Sequence, residues 1–192
     1  MNRGEVVSLL GRNGAGRSTT MKSIMGLVDV TAGQITIEGR DITGKRPFEI
    51  ARAGLGFVPE EREVFANLTV DENLRMGEQP PRPDAPAWTI EQMFGYFPRL
   101  KERRNTRAGN LSGGEQQMLT MCRSLLGNPK VMLIDEPTEG LAPKIVEVIA
   151  DVIRDIHQRG VSVVLVEQKL TIALKVSTRV SVMGHGLSLI HI

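Results

Sequence analysis

An α/β fold built on a mostly parallel sheet is predicted by three features of the 192-residue chain. Two nearly solid apolar runs, "VMLI" at 131–134 and "VVLV" at 163–166, read as strands covered on both faces. Between them Ile145, Val148, Ile149, Val152, Ile153 and Ile156 recur at spacings of three and four, a helical stripe closed by Gly160. A strand, helix, strand unit of this kind takes a right-handed crossover, which sets its strands parallel with the helix on one face. The third feature is a glycine-rich loop, residues 11–19, between an apolar run and a helical pattern.

In chain order, "EVVSLLG" at 5–11 predicts a strand, and Met21, Ile24, Met25 and Val28 predict the helix after the loop. "GQITIEG" at 33–39 alternates Ile35 and Ile37 with polar neighbours and predicts a half-exposed strand. "GLGFVPE" at 54–60 predicts another, stopped by Pro59. From Gln79 to Pro98 prolines crowd the text, leaving one short helical pattern, "TIEQMFGYF", before the basic run "RLKERRNTR" at 99–107. "KVMLIDE" at 130–136 and "VSVVLVE" at 161–167 are the strands flanking the long helix, and "VSVMGHG" at 180–186 predicts the last core strand.

Composition bounds the reading. With 41% apolar and 24% charged residues the chain buries a sizeable core and forms one globular domain. Its net charge of +2, and a basic run with no aromatic platform beside it, argue against a nucleic-acid partner. The single cysteine, Cys122, falls in the apolar pattern of Met118, Leu119, Leu125 and Leu126 and reads as a buried thiol. His157, His185 and His191 have no ligand spacing and read as solvated or locally hydrogen-bonded, and Trp88 as a packing residue. No apolar run reaches membrane-spanning length and no signal peptide is visible, so the chain is expected in the cytosol.

Three motifs carry chemistry. In "GRNGAGRST" the glycines at 11, 14 and 16 allow a tight turn that gathers backbone N–H groups at a helix start, a phosphate cradle, with Ser18 offering a hydroxyl to magnesium. The usual pattern has lysine where this chain has Arg17. "VMLIDEP" ends a buried strand in two carboxylates: Asp135 to hold the hydration shell of magnesium, Glu136 to orient or deprotonate the attacking water. "NLSGGEQQ" at 110–117 pairs Ser112 and Glu115 as a capping box around Gly113 and Gly114, a second helix start suited to phosphate.

In this order and spacing the three motifs resemble the ATP-binding subunits of ABC transporters over nearly the whole chain. "VPEEREVFANLTVDENLRMG" at 58–77, "DEPTEGLAP" at 135–143 and "VLVEQ" at 164–168 resemble the LivF-type branched-chain amino acid importer ATPases, with urea-importer subunits as the alternative. The resemblance implies a P-loop NTPase fold of the ABC type, one domain over 1–192 with an inserted helical region at about 72–110. It implies ATP and Mg2+ as cofactors, and a nucleotide-binding set of Gly11, Arg12, Asn13, Gly14, Ala15, Gly16, Arg17, Ser18 and Thr19. Glu136, Gln168 and Glu60 are then catalytic, and Ser18, Asp135 and Glu60 surround the metal. Ser112, Gly113, Gly114 and Glu115 would contact the nucleotide of a partner subunit in a head-to-tail dimer, a homodimer or a pair with a LivG-type subunit. The remaining implied partners are transmembrane permease subunits and, indirectly, a periplasmic solute-binding protein, which place the chain on the cytoplasmic face of the inner or plasma membrane.

Glu60 stands where the wider family has glutamine and Gln168 where it has histidine, both usual in the LivF-like branch. Family members begin a few tens of residues earlier with strands and an adenine-stacking aromatic, and "LSLIHI" at 187–192 does not resemble their continuation. The sequence therefore reads as a truncated or frameshifted product with exposed apolar sheet surface and marginal stability. Arg17 keeps the positive charge but replaces a compact ammonium by a larger planar fork, which predicts reduced hydrolysis with only residual ATP binding.

Overall fold

The computed structural model describes residues 1–184 and 186–191. The first strand, β1 (Val6–Gly11), runs into α1 (Arg17–Ile24). A small hairpin, β2 (Thr36–Ile37) and β3 (Arg40–Asp41), precedes α2 (Pro47–Arg52) and β4 (Leu55–Val58). A helical stretch follows: α3 (Val70–Gly77), α4 (Ile90–Tyr96), α5 (Pro98–Glu102), a 3-10 turn at Ala108–Asn110 and α6 (Gly113–Leu125). Then come β5 (Val131–Asp135), α7 (Pro143–Gln158), β6 (Ser162–Val166), α8 (Leu170–Val176), β7 (Arg179–Gly184) and β8 (Leu187–His191).

The main sheet runs β4-β5-β6-β1-β7-β8. All pairings are parallel except β7 with β8. The predicted α/β class and the crossover from β5 through α7 to β6 are as expected, and the stripe on α7 is buried at Ile149, Val152, Ile153 and Ile156. On β5 successive residues serve opposite faces: Met132 and Ile134 pack under α6 and α7, while Leu133 joins Met21, Ile37 and Ile50 on the other side. That second face is less completely covered. A groove of about 380 Å³ opens there between the hairpin and the sheet, with Ile24, Leu55, Val131 and Val164 in its walls.

Several elements differ from the sequence expectation. The helix after the glycine loop stops at Ile24, because Gly26 turns with φ 67° and packs so closely that a Cβ would lie 2.3 Å from the Lys45 carbonyl oxygen. Val28, expected on its apolar face, is exposed. The strand expected over 33–39 shrinks to two residues, since Glu38 (φ 48°) and Gly39 (φ 77°) reverse the chain in a tight turn that pairs Ile37 with Arg40. "LSLIH" forms the antiparallel edge strand β8. His185 lies outside the described residues. His157, expected to be solvated or locally hydrogen-bonded, is half-buried in the last turn of α7, and among the described residues its shielded Nδ1 has no hydrogen-bond partner.

Cys122 and Trp88 are placed as their sequence patterns predict. Cys122 is fully buried, and burial pushes its thiol pKa well above the ordinary value. The basic run is taken up by ion pairs, Arg99 with Glu102, Lys101 with Glu91, Arg103 with Glu115 and Arg104 with Asp71. Trp88 is buried against Tyr96, with the Arg159 guanidinium 4.7 Å from its ring centre.

The proline-rich segment before α4 is pinned by one side chain. Asn128, buried and at φ 50°, accepts from the Trp88 N–H at 2.9 Å and donates to the carbonyls of Gln79 (2.7 Å) and Pro80 (3.3 Å). Asn128→Ala removes these bonds, strands buried backbone groups and puts alanine in a left-handed conformation. The expected loss is about 2–3 kcal/mol of unfolding free energy, read by urea denaturation.

Candidate functional site

The three adjacent strands β5, β6 and β1 end together, with Val166 registered against both Asp135 and Leu9. The loops leaving these carboxyl ends bring distant parts of the sequence to one place, the usual position of a ligand site in an open parallel sheet. From β1 comes the loop into α1. Gly14 (φ 80°) and Gly16 (φ 93°) take left-handed conformations, and a Cβ on Gly11 would lie 2.6 Å from the Met183 carbonyl oxygen of β7. The residue before α1, Gly16, has no side chain to cap the helix, and the helix start lines a cleft of about 270 Å³. A helix start of this kind suits an anionic ligand.

Asn13 through Thr19 line that cleft with Glu60, Glu136, Glu139 and Gln168. Gly11 and Arg12 lie off its wall. Asp135 sits beneath it, buried, and accepts a 3.2 Å hydrogen bond from Ser18 Oγ. Burial raises the Asp135 pKa, and the nearby Glu60 charge adds to this, against the lowering effect of the Ser18 bond.

Glu136 is the most constrained group. It continues the pairing of β5 with an N–H bond to the Val166 carbonyl at 2.9 Å, yet its φ is 43°, a conformation that side-chain-bearing residues hold only under local constraint. Its Oε1 is 2.9 Å from Arg17 Nη2, and its Oε2 accepts from Gln168 Nε2 at 2.6 Å. Burial pushes its pKa up to about 6, helped by a hydrogen bond with Glu139 and opposed by Gln168 and Arg17. Carboxylate oxygens of Glu60, Glu136 and Glu139 all lie within 4.8 Å of one another.

Arg17 itself is 5% exposed, with further bonds to Asn13 Oδ1 (3.3 Å) and the Glu167 carbonyl oxygen (3.4 Å). Glu167 accepts from Thr138 Oγ1 at 2.7 Å, tying the loops after β5 and β6 together.

The second helix start stands apart from this cleft within one chain. Ser112 and Glu115 form the expected capping box on α6. The Glu115 carboxylate is turned back into that cap, accepting from Ser112 N and Oγ (both 2.8 Å) and Arg103 Nη1 (3.0 Å). Burial works against its charge, but these bonds outweigh it and hold its pKa below the ordinary range. Gly113 lies against Arg62, and Gly114 against Leu141 and Ile145.

Sequence reasoning had singled out neither Glu139 nor Glu167 nor Arg103. Glu139, three residues past Glu136 and followed by a glycine, was legible as a third carboxylate on the same loop. Arg103 was legible only as part of a basic run.

Fold and site together define a phosphate-binding α/β nucleotide cassette, and residues 1–139 match the ABC transporter family. The chain belongs to that family and is one of its ATPases. It is 42% identical over 191 residues to the high-affinity branched-chain amino acid transport ATP-binding protein BraG of Pseudomonas aeruginosa, covering 100% of this chain and 82% of that protein. It is 35% identical over 187 residues to a probable branched-chain amino acid transport ATP-binding protein, LivF, of Archaeoglobus fulgidus, covering 97% and 79%. Among solved structures it resembles a dimeric, post-hydrolysis ATP-binding cassette bound to ADP and Pi, with TM-score 0.85, 25% identity, and coverage of 100% of this chain and 86% of that one. Among the described residues no helix is long and apolar enough to cross a membrane.

Proposed function

We propose that this chain is the ATP-binding subunit of an importer for branched-chain amino acids, one nucleotide-binding domain with a helical insertion at about 72–110. The observation that carries the reading is the convergence of the glycine loop, Asp135 with Ser18, and Glu136 with Gln168 at the ends of three neighbouring parallel strands. The solute assignment is supported by the named activities of BraG and LivF.

The residues fit both ATP and magnesium. The uncapped N–H groups at the start of α1 suit phosphate oxygens. Ser18 and the buried Asp135 form an all-oxygen donor set suited to a hard divalent cation, with Glu60 in the adjoining wall. Bound there, magnesium would offset phosphate charge. Glu136 takes the proton of the attacking water, and Gln168 holds its carboxylate in place. Ser112, Gly113 and Gly114 complete the site across a head-to-tail dimer, which accounts for their distance from the cleft of their own chain. Glu115 acts there by fixing Ser112. Permease subunits would seat the dimer on the cytoplasmic membrane face.

Two measurements test this. At 100 times its Kd, Mg-ATP stabilises a folded binder by about 2.7 kcal/mol, so the melting temperature is expected to rise by about 5–10 °C. Proteoliposomes holding cognate permeases and a solute-binding protein should accumulate leucine with ATP. No thermal shift would overturn the nucleotide site, and ATP-driven uptake of urea but not leucine would overturn the solute.

A further inference from the structure

We propose that Arg17 is a latch on Glu136: their ion pair must open before the loop can engage a terminal phosphate, so nucleotide binding and release of the base are one event. This rests on the nucleotide-site reading above.

Arg17 is the first residue of α1, where the positive end of the helix dipole disfavours a cation. It is also almost fully buried, where an unpaired charge is costly. Its charge has to be met by an acid, and Glu136 at 2.9 Å meets it, while Asn13 and the Glu167 carbonyl accept from the rest of the fork.

The consequence falls on the base. Glu136 is held at one oxygen by Arg17 and at the other by Gln168, both through its charged form. In this state neither oxygen is free of a protein donor. A phosphate oxygen is as good an acceptor for the guanidinium as a carboxylate, and the planar fork suits it. Binding therefore exchanges one acceptor for another. Affinity is reduced by the ion pair given up, and Glu136 keeps Gln168 while one oxygen becomes available to water. The planar fork of Arg17 spans the base, the loop and the end of β6, bonds that a single ammonium would not reproduce together.

A double-mutant cycle read by calorimetric titration of ADP and ATP without magnesium, where no hydrolysis occurs, tests the latch. Glu136→Gln removes the competing charge and is expected to tighten binding about tenfold in the Arg17 chain, within the range for contacting pairs. In the Arg17→Met background the same change should alter affinity less than twofold. If Arg17→Met does not fold, Arg17→Lys takes its place, and the gain from Glu136→Gln should shrink at least threefold. Unchanged affinity in Glu136→Gln, or an equal gain in both backgrounds, overturns the latch while leaving the nucleotide site intact. Absence of ADP and ATP binding in every variant overturns the site and the latch together.

Discussion

Glu136→Gln is expected to lower ATP turnover by about 10²–10⁴-fold, the range for removal of a positioned general base, with nucleotide held at least as tightly as before. The expectation follows from where the backbone puts the side chain. Glu136 extends the β5 ladder by one hydrogen bond to Val166 while adopting φ 43°, so its carboxylate is aimed into the cleft by a conformation that its neighbours impose. Glutamine keeps the shape and can still meet Gln168 and Arg17, but it cannot accept a proton at neutral pH. The loss should therefore appear in the rate of phosphate release and not in the amount of ATP bound. Single-turnover phosphate release separates the two. Turnover within about threefold of the starting chain would remove Glu136 from the chemistry and shift attention to Glu139, whose oxygen lies in the same cluster.

How much of this was legible in the sequence differs by element. β5, α7 and β6 were readable because solid apolar runs and a stripe at three- and four-residue spacing each have one physical solution in a parallel α/β unit. The glycine loop and the Asp135–Glu136 pair were readable as local patterns, and strand register brought them together as expected. The shortened β2 was not readable, because its extent depends on Glu38 accepting a positive φ, which nothing in its composition signals. β8 was hidden since an edge strand answers to its partner β7 more than to its own sequence. Arg17 was visible as a departure from pattern, but its pairing with Glu136 spans 119 positions and exists only after β1 and β5 are brought to the same end of the sheet.

The largest expected stability effect lies under the second helix start. Leu119 is fully buried on α6, whose inner face packs toward α3 and β4 within the larger core. Leu119→Ala leaves a cavity there, and an expected loss of about 3 kcal/mol lowers the melting temperature by about 6–12 °C. Because α6 begins at Gly113, directly after the Ser112 cap, loosening its body also blurs the position of Ser112. Hydrolysis through the dimer should therefore fall more than nucleotide binding to a single subunit. Gly113→Ala separates the two effects: its Cβ would meet Arg62 Nη1, the far end of a flexible side chain that can swing aside, so stability should change by less than about 1 kcal/mol. Yet in the proposed head-to-tail dimer the added methyl group would sit on the face offered to the partner's nucleotide. A melt that spares Gly113→Ala, with turnover that does not, would place the helix start in the shared site; turnover equal to the starting chain would confine α6 to a structural role.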